Sequence, residues 1–429
     1  MATPPTRVRA IPPAPRCRRG DGVTLDGREI LADPYGDGLE DVCAALWVVL
    51  RDLLQWMDAE RRKGLFGNRN HKLRARLLRA LRLAPALAPA IRTFLRLRTD
   101  SGTVSGGELA AACYRVWRWA EDESLLGTAA HFGEAAAYLD PDNPVYANDA
   151  GWACRRCVLH ERATVWYHRA FRLAVRSRNP REIIRALLGR GAVDKDLGRL
   201  AEARNYYDRA SRRAVRSGMR RQAAVSRHYL FALEAEAGRF LVGLEEVQVT
   251  LNLYPIYDRR VPYLAHDYAF LLIRNRYFDA ALTLLEKLGP AITKPEERLL
   301  VQSNVAWAAA AAGRYDQHRA SEKFVLATFS TYPEYAAASL IHLAHASRFT
   351  GEWEEAAVHA ARAEEIARAR RDAALAREAA ELRELIAART PPERENVGSR
   401  PHAIETIERM FSIRLRRWLA PDRRGAGAN

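Results

Sequence analysis

Along most of the chain apolar residues return every three or four positions, the spacing that lays an apolar stripe along one side of an α-helix, and strict two-residue alternation is scarce. The pattern predicts helix after helix. "LEDVCAALWVVLRDLLQWMDAERRKG" from Leu39, "HKLRARLLRALRL" from His71 and the Pro-started "PAIRTFLRLR" from Pro89 read as three of them. From Ala110 onward a longer period is laid over the helical one. A small residue sits inside a first helix, a turn follows seven residues later, and small residues stand five and twelve residues beyond the turn.

Two copies fit without gaps. "GAVDKDLGRLAEARNYYDRA" supplies Gly191, Gly198, Ala203 and Ala210, and "AHASRFTGEWEEAAVHAARA" supplies Ala344, Gly351, Ala356 and Ala363. Other copies turn at Ser124, with Ala129 and Ala136, at Gly238, with Gly243, and at Asn275, with Ala280. The copy around Ala306 and Gly313 fits only if two extra residues precede Ala320. Small residues at these positions mark where helices approach too closely for a large side chain, and Gly or Asn accepts the left-handed backbone of a tight turn.

This pattern resembles the tetratricopeptide repeat, a helix-turn-helix unit of about 34 residues. About seven units run between Ala110 and Arg370, the first two contiguous at 34 residues and later ones recurring at roughly 37 to 40. The expected fold is all-α. The resemblance implies a right-handed α-solenoid of helix pairs with an N-terminal helical segment and C-terminal capping helices. Residues 1–38, rich in Pro and Arg, read as disordered, 39–99 as a basic helical segment, and 110–370 as the repeat array. Residues 371–390 read as a capping helix, 391–420 as a linker and amphipathic helix, and 421–429 as a disordered tail. In that last helix Ile404, Ile407, Phe411, Leu415 and Trp418 form a stripe expected to dock on the chain or on a second copy.

Composition agrees with this. Leu, Ala, Arg and Glu outweigh β-branched residues, and 48% hydrophobic content supplies a sizeable core. Apolar runs such as "AALWVVL" fall short of the roughly 20 residues that cross a bilayer. The N-terminus lacks the apolar core of a signal peptide, so a cytoplasmic protein is expected. The +16 net charge is blocked: residues 61–99 hold twelve Lys or Arg and no Asp or Glu, and 155–227 hold twenty basic against six acidic side chains. Such blocks raise the prospect of a phosphate-rich or acidic partner. Lys72, Arg76, Arg79 and Arg82 form the basic side of the helix from His71 and are candidates for such a surface, or for the outer face of a bundle packed on the first repeat.

"GWACRRCVLHERATVWYHRAF", from Gly151, carries Cys154 and Cys157 with His160 and His168 downstream. In the repeat register Gly151, Ala163 and Ala170 are small positions and Val158 is the turn, so Cys154 falls where a first helix packs an apolar side chain. The two histidines are eight residues apart across a turn, and Cys17, Cys43 and Cys113 are isolated, so the spacing of a four-ligand zinc site is missing. No metal and no cofactor is expected.

The resemblance places binding on first helices, which line the concave side of such arrays and commonly hold a peptide or protein segment. Counting from each small residue, the inward set is Tyr114, Arg118, Asn148, Trp152, Arg155, Arg185, Lys195, His228, Trp307 and His345. Aromatic, amide and guanidinium groups of this kind hold carboxylates and extended backbones. The Lys and Asn clamp with which some members hold chaperone tails is not reproduced. No Gly-rich phosphate loop, nucleophile elbow or metal-binding helix motif is present, so no enzyme is expected. The expected function is a protein-interaction scaffold with a peptide or protein ligand. The alternative is a peptide-sensing or partner-sensing regulator whose basic regions contact nucleic acid.

Overall fold

The computed structural model describes residues 30, 33, 39–57, 77–80, 82–99, 103–393 and 401–419. Lys72, Arg76, Cys17, most of segment 1–38 and the tail 421–429 lie outside the described residues. Every regular element among the described residues is helical, and the all-α array of tetratricopeptide-like helix pairs is the observed fold. Packing divides the chain into two compact units, Met1–Val193 and Asp194–Asn429.

The first unit opens with α1 (Glu40–Met57) and α2 (Ala88–Thr99). Pairs follow: α3 (Gly106–Asp122) with α4 (Leu126–Leu139), then α5 (Pro144–Arg156) with α6 (His160–Arg176). α7 (Pro180–Asp196) carries the chain into the second unit. α1 packs on α4 and α2 on α3, so the N-terminal helices share a core with the first pair, in which Phe94 and Phe132 rings lie 6.3 Å apart. Arg79 and Arg82 are exposed, and Arg79 pairs with Asp41 at 3.3 Å. A long-range contact joins this unit: the Asp33 carboxylate accepts from the Gly127 and Thr128 amides at 2.8 and 2.7 Å, satisfying donors at the start of α4 from 94 residues away.

The second unit continues with α8 (Leu200–Arg216), α9 (Arg220–Glu236), α10 (Phe240–Leu253), α11 (Val261–Arg274) and α12 (Phe278–Leu288). It ends with α13 (Pro295–Ala311), α14 (Tyr315–Thr328), α15 (Pro333–Thr350), α16 (Trp353–Ala369), α17 (Ala373–Ala387) and α18 (His402–Leu419). α17 packs on α16 and α15. α18 does not extend the array from α17. It lies against α10, α11 and α12, where Ile404, Ile407, Phe411 and Leu415 are buried, Trp418 is half-buried, and the Phe411 ring stacks on Tyr268 at 5.5 Å. The stripe docks on the chain itself.

The turns explain the period. Ser124, Val158, Gly198, Gly238, Gly313 and Gly351 all have φ between 59° and 80°. In each case the next amide reaches back five residues to a helix carbonyl, as in Leu159 N to Cys154 O at 2.8 Å and Arg199 N to Asp194 O at 2.8 Å. This closes the helix in the manner of a Schellman cap. Val158 adopts the conformation although it is β-branched, a strained choice for such a residue. Second helices end the same way at Arg178, Gly218 and Arg371, which the sequence pattern did not anticipate. α6, α7, α8 and α9 are each 17 residues long, so three-residue turns recur every twenty.

Two positions correct the sequence register. The left-handed residue after α11 is Arg276, not Asn275; Asn275 instead uses its amide to bond the Leu271 carbonyl at 2.8 Å, and the small residue five beyond the turn is the fully buried Ala281, next to the buried Ala280. The copy at Gly313 needs no extra residues. Five after the turn stands His318, fully buried, with Nδ1 3.1 Å from the carbonyl of Ala306, and twelve after it stands Val325. An imidazole occupies the alanine slot because it can bond the facing helix rather than merely clear it.

Two glycines mark a close approach around Tyr167 in α6. A Cβ added at Gly151 would come within 2.9 Å of its ring and one at Gly189 within 2.1 Å, so two glycines on α5 and α7 make room for one tyrosine.

Candidate functional site

In the first unit the inward residues of α3, α5 and α7 converge. Tyr114 stacks on Trp117 with ring centres 4.9 Å apart and meets Tyr146 at 5.1 Å; burial and the neighbouring Asp149 raise its pKa. Arg118 is exposed beside it. Asn148 is buried and donates to both the backbone carbonyl and the Oε2 of Glu182, at 3.0 and 2.8 Å. Arg185 reaches the same Glu182 oxygen at 2.9 Å and pairs with Asp149. Burial opposes its charge, but the two carboxylates outweigh that and hold it protonated. The Asn148 side-chain carbonyl is buried and has no partner among the described residues. Trp152 donates to Glu121 at 3.0 Å, and Arg155 lies over its ring at 5.2 Å.

Cys154 is fully buried on α5, and Cys157 is half-buried at its C-terminal end. Among the described residues no three His, Cys, Asp or Glu side chains are grouped to hold a metal ion.

In the second unit the first helices are stitched together by one repeated contact. Three residues before the small position of one repeat, a side chain bonds the side chain two residues before the small position of the next. His228 of α9 meets Asp267 of α11 at 2.9 Å, His266 of α11 meets Asn304 of α13 at 2.8 Å, and Ser303 of α13 meets His342 of α15 at 2.8 Å. Asp267 also accepts from His266 at 3.3 Å, and although burial works against its charge, the two imidazoles pull its pKa well below the carboxylate range. The far nitrogen of His228 lies 3.1 Å from the Tyr254 hydroxyl. Burial, with His266 and Arg274 nearby, lowers the pKa of His342 to about 3. His345 is lowered for the same reason, first by burial and then by Arg274, and stacks face to face on Trp307 at 4.1 Å and 4°.

Beside this ladder lies a cavity of about 280 Å³. His228, His266 and Asp267 form one wall, Tyr263, Glu297 and Tyr335 another, and Ile292, Leu300 and Val301 an apolar part. The Tyr263 hydroxyl donates to both Glu297 oxygens at 2.7 and 2.9 Å, and burial raises the pKa of Glu297. The volume stands near the low end for small-ligand clefts, roughly 300 Å³, which suits one or two side chains of a bound segment.

The ten residues chosen from the sequence therefore fall in two groups. Tyr114, Arg118, Asn148, Trp152, Arg155 and Arg185 belong to the first unit, and His228 lines the cavity of the second. Trp307 and His345 pack on each other beneath the ladder. Lys195 bonds Glu236 at 3.0 Å, which raises its pKa, at the C-terminal end of α7. The row carrying Asp149, Asp267, Asn304 and His342 is not among the residues that the inward count marks. Writing the copies under one another exposes it, since each lies two residues before the small position.

No family model matches the chain, and no curated protein matches it. Among solved structures it is similar to a Rap protein complexed with Competence and Sporulation Factor, at 11% sequence identity and a TM-score of 0.52, covering 79% of this chain and 99% of that one. At that identity the likeness speaks for the fold: both are tetratricopeptide-like helical repeats. No helix among the described residues is long and apolar enough to cross a membrane.

Proposed function

We propose that the chain is a non-enzymatic receptor that holds a peptide or an extended segment of a partner protein along the first helices of its repeats. The observation that carries this reading is the ladder from His228 to His342 beside the apolar-lined cavity. Its hydrogen bonds lock neighbouring helices in register, which fixes the rotamers of the groups facing the cavity before anything binds, and preorganisation of that kind lowers the cost of association. Polar groups of both kinds, the Glu297 carboxylate and the His228 imidazole, flank an apolar surface. That mixture suits a segment with one apolar side chain and backbone amides to pair.

The similar Rap protein is described in complex with a bound factor, which supports a receptor role on the same kind of scaffold. The one serine that meets a ladder histidine is engaged within the packing. Ser303 spends its hydroxyl on the Leu300 carbonyl and His342 inside the packing, away from the cavity lining.

A peptide library displayed on phage, selected on the full-length protein, tests this. The expected result is one enriched motif whose synthetic peptide binds with an affinity weakened about tenfold or more by Tyr263→Ala or Tyr335→Ala. Selection that returns no motif, or a peptide indifferent to both variants, removes the reading.

A further inference from the structure

The second unit carries a surface that the groove does not use. α8 turns Asn205, Arg209, Arg212 and Arg216 outward at spacings of four, three and four residues, one line along its solvent side. Past the Gly218 turn, Arg220 opens α9. From α18, Arg414 and Arg417 join it: Arg414 is held below the ordinary guanidinium value by burial and then by the charges of Arg220 and Arg417. Arg220 donates to the carbonyl of Asn252 at 2.8 Å, and Arg414 to those of Tyr254 and Pro255 at 2.9 and 3.3 Å. The C-terminal end of α10, the negative end of its dipole, thus gathers two guanidiniums from different helices.

On α9 itself, Arg221 pairs with Asp258 and Arg227 with Glu246. Among the described residues no carboxylate pairs with Arg212, Arg216, Arg220, Arg414 or Arg417. Like charges that no carboxylate pairs repel one another unless water or an anion screens them. Large apolar side chains stand among them in solvent: Val215 is 67% exposed, Ile256 40%, Tyr257 46% and Ile413 42%. Val215 adjoins Arg216, Ile413 adjoins Arg414, and Ile256 follows the carbonyl that Arg414 holds. A nucleic-acid backbone would use the arginines and leave these groups in water. The interfacial layer of a bilayer uses both, because its phosphates lie directly above its acyl chains.

We propose that this face, formed by α8, the start of α9, the loop after α10 and α18, rests on an anionic lipid surface, with the guanidiniums on headgroup phosphates and Val215, Ile256, Tyr257 and Ile413 in the interfacial layer. The attachment is peripheral and reversible.

Flotation of the full-length protein with vesicles of phosphatidylcholine alone, or of phosphatidylcholine with phosphatidylglycerol, tests it. Binding is expected only with the anionic lipid and falls as salt is raised. Each arginine near a charged bilayer accounts for about a fivefold gain in partition, so the double reversal R216E/R417E lowers it at least 25-fold, roughly. Ile413→Ser lowers it with charge unchanged. All these positions are exposed, and unaltered thermal unfolding shows that the variants are folded. Absence of binding to anionic vesicles, equal binding to neutral ones, or indifference to both variants overturns the proposal. So does tight binding of duplex DNA that R216E/R417E abolishes and Ile413→Ser leaves intact, which would give the face to nucleic acid.

Discussion

The hydroxyl of Ser303 and Nδ1 of His342 are 2.8 Å apart, the last step of a ladder that links equivalent turns of successive first helices. His342 is buried and its pKa falls from 6.5 to about 3. A histidine lowered in the folded state stays neutral there while the unfolded chain takes up a proton. Its contribution to stability is complete above about pH 6.5 and is lost as the pH falls toward 3. His345 acts in the same direction. Denaturant unfolding at a series of pH values should show stability declining through this window, and His342→Gln should flatten part of the decline. A variant curve parallel to the wild type would remove His342 from the account.

Gly189 faces the Tyr167 ring so closely that an added methyl would sit 2.1 Å from it. Gly189→Ala should cost about 2–3 kcal/mol. The second change Tyr167→Leu should recover part of that loss, a non-additivity that a double-mutant cycle measures.

Val158 holds φ at 65° in a turn that four other repeats fill with glycine. A left-handed conformation costs an ordinary residue about 1–2 kcal/mol, and the half-buried side chain returns some of it in contacts. Val158→Gly is expected to raise stability by about 0.5–1 kcal/mol, read as a higher denaturant midpoint with the slope unchanged.

Glu134 is fully buried and receives three donors: the Arg162 guanidinium through two of its nitrogens, one at 3.0 Å, and the Trp166 indole at 2.7 Å. Glu134→Ala would leave a cation in the core with no counter-charge, at a cost of about 3–5 kcal/mol. Replacing Glu134 and Arg162 together by apolar residues should cost markedly less, which unfolding free energies of the two variants and the wild type compare.

The repeat fold was legible because its signal is steric and recurs. Ser124 and Val158 were placed at turns from register alone, although neither is glycine, and both have positive φ. The register failed where chemistry replaced sterics. His318 fills a small-residue slot by bonding a carbonyl, and Asn275 bonds Leu271 while Arg276 makes the turn. The candidate site was half legible for the same reason. Counting from the small residue found His228 and Asn148, whereas Asp267, Asn304 and Glu182 answer to partners some 34 to 39 positions away, and a pattern within one repeat does not see them. Asp33 lay further still beyond reach, since nothing near it in sequence marks Gly127 and Thr128 as its donors.

Stacks of helix pairs ordinarily grow by nearest neighbours, each unit completed by the next. The seating of Phe411 on Tyr268 breaks that order. A chain emerging from the ribosome can stack α9 to α16 in sequence, yet the side of α10 to α12 stays open until more than a hundred further residues have been made. The α18-facing side of α10 to α12 is therefore covered only once α18 has been made, and until then its apolar residues stay exposed to misassembly.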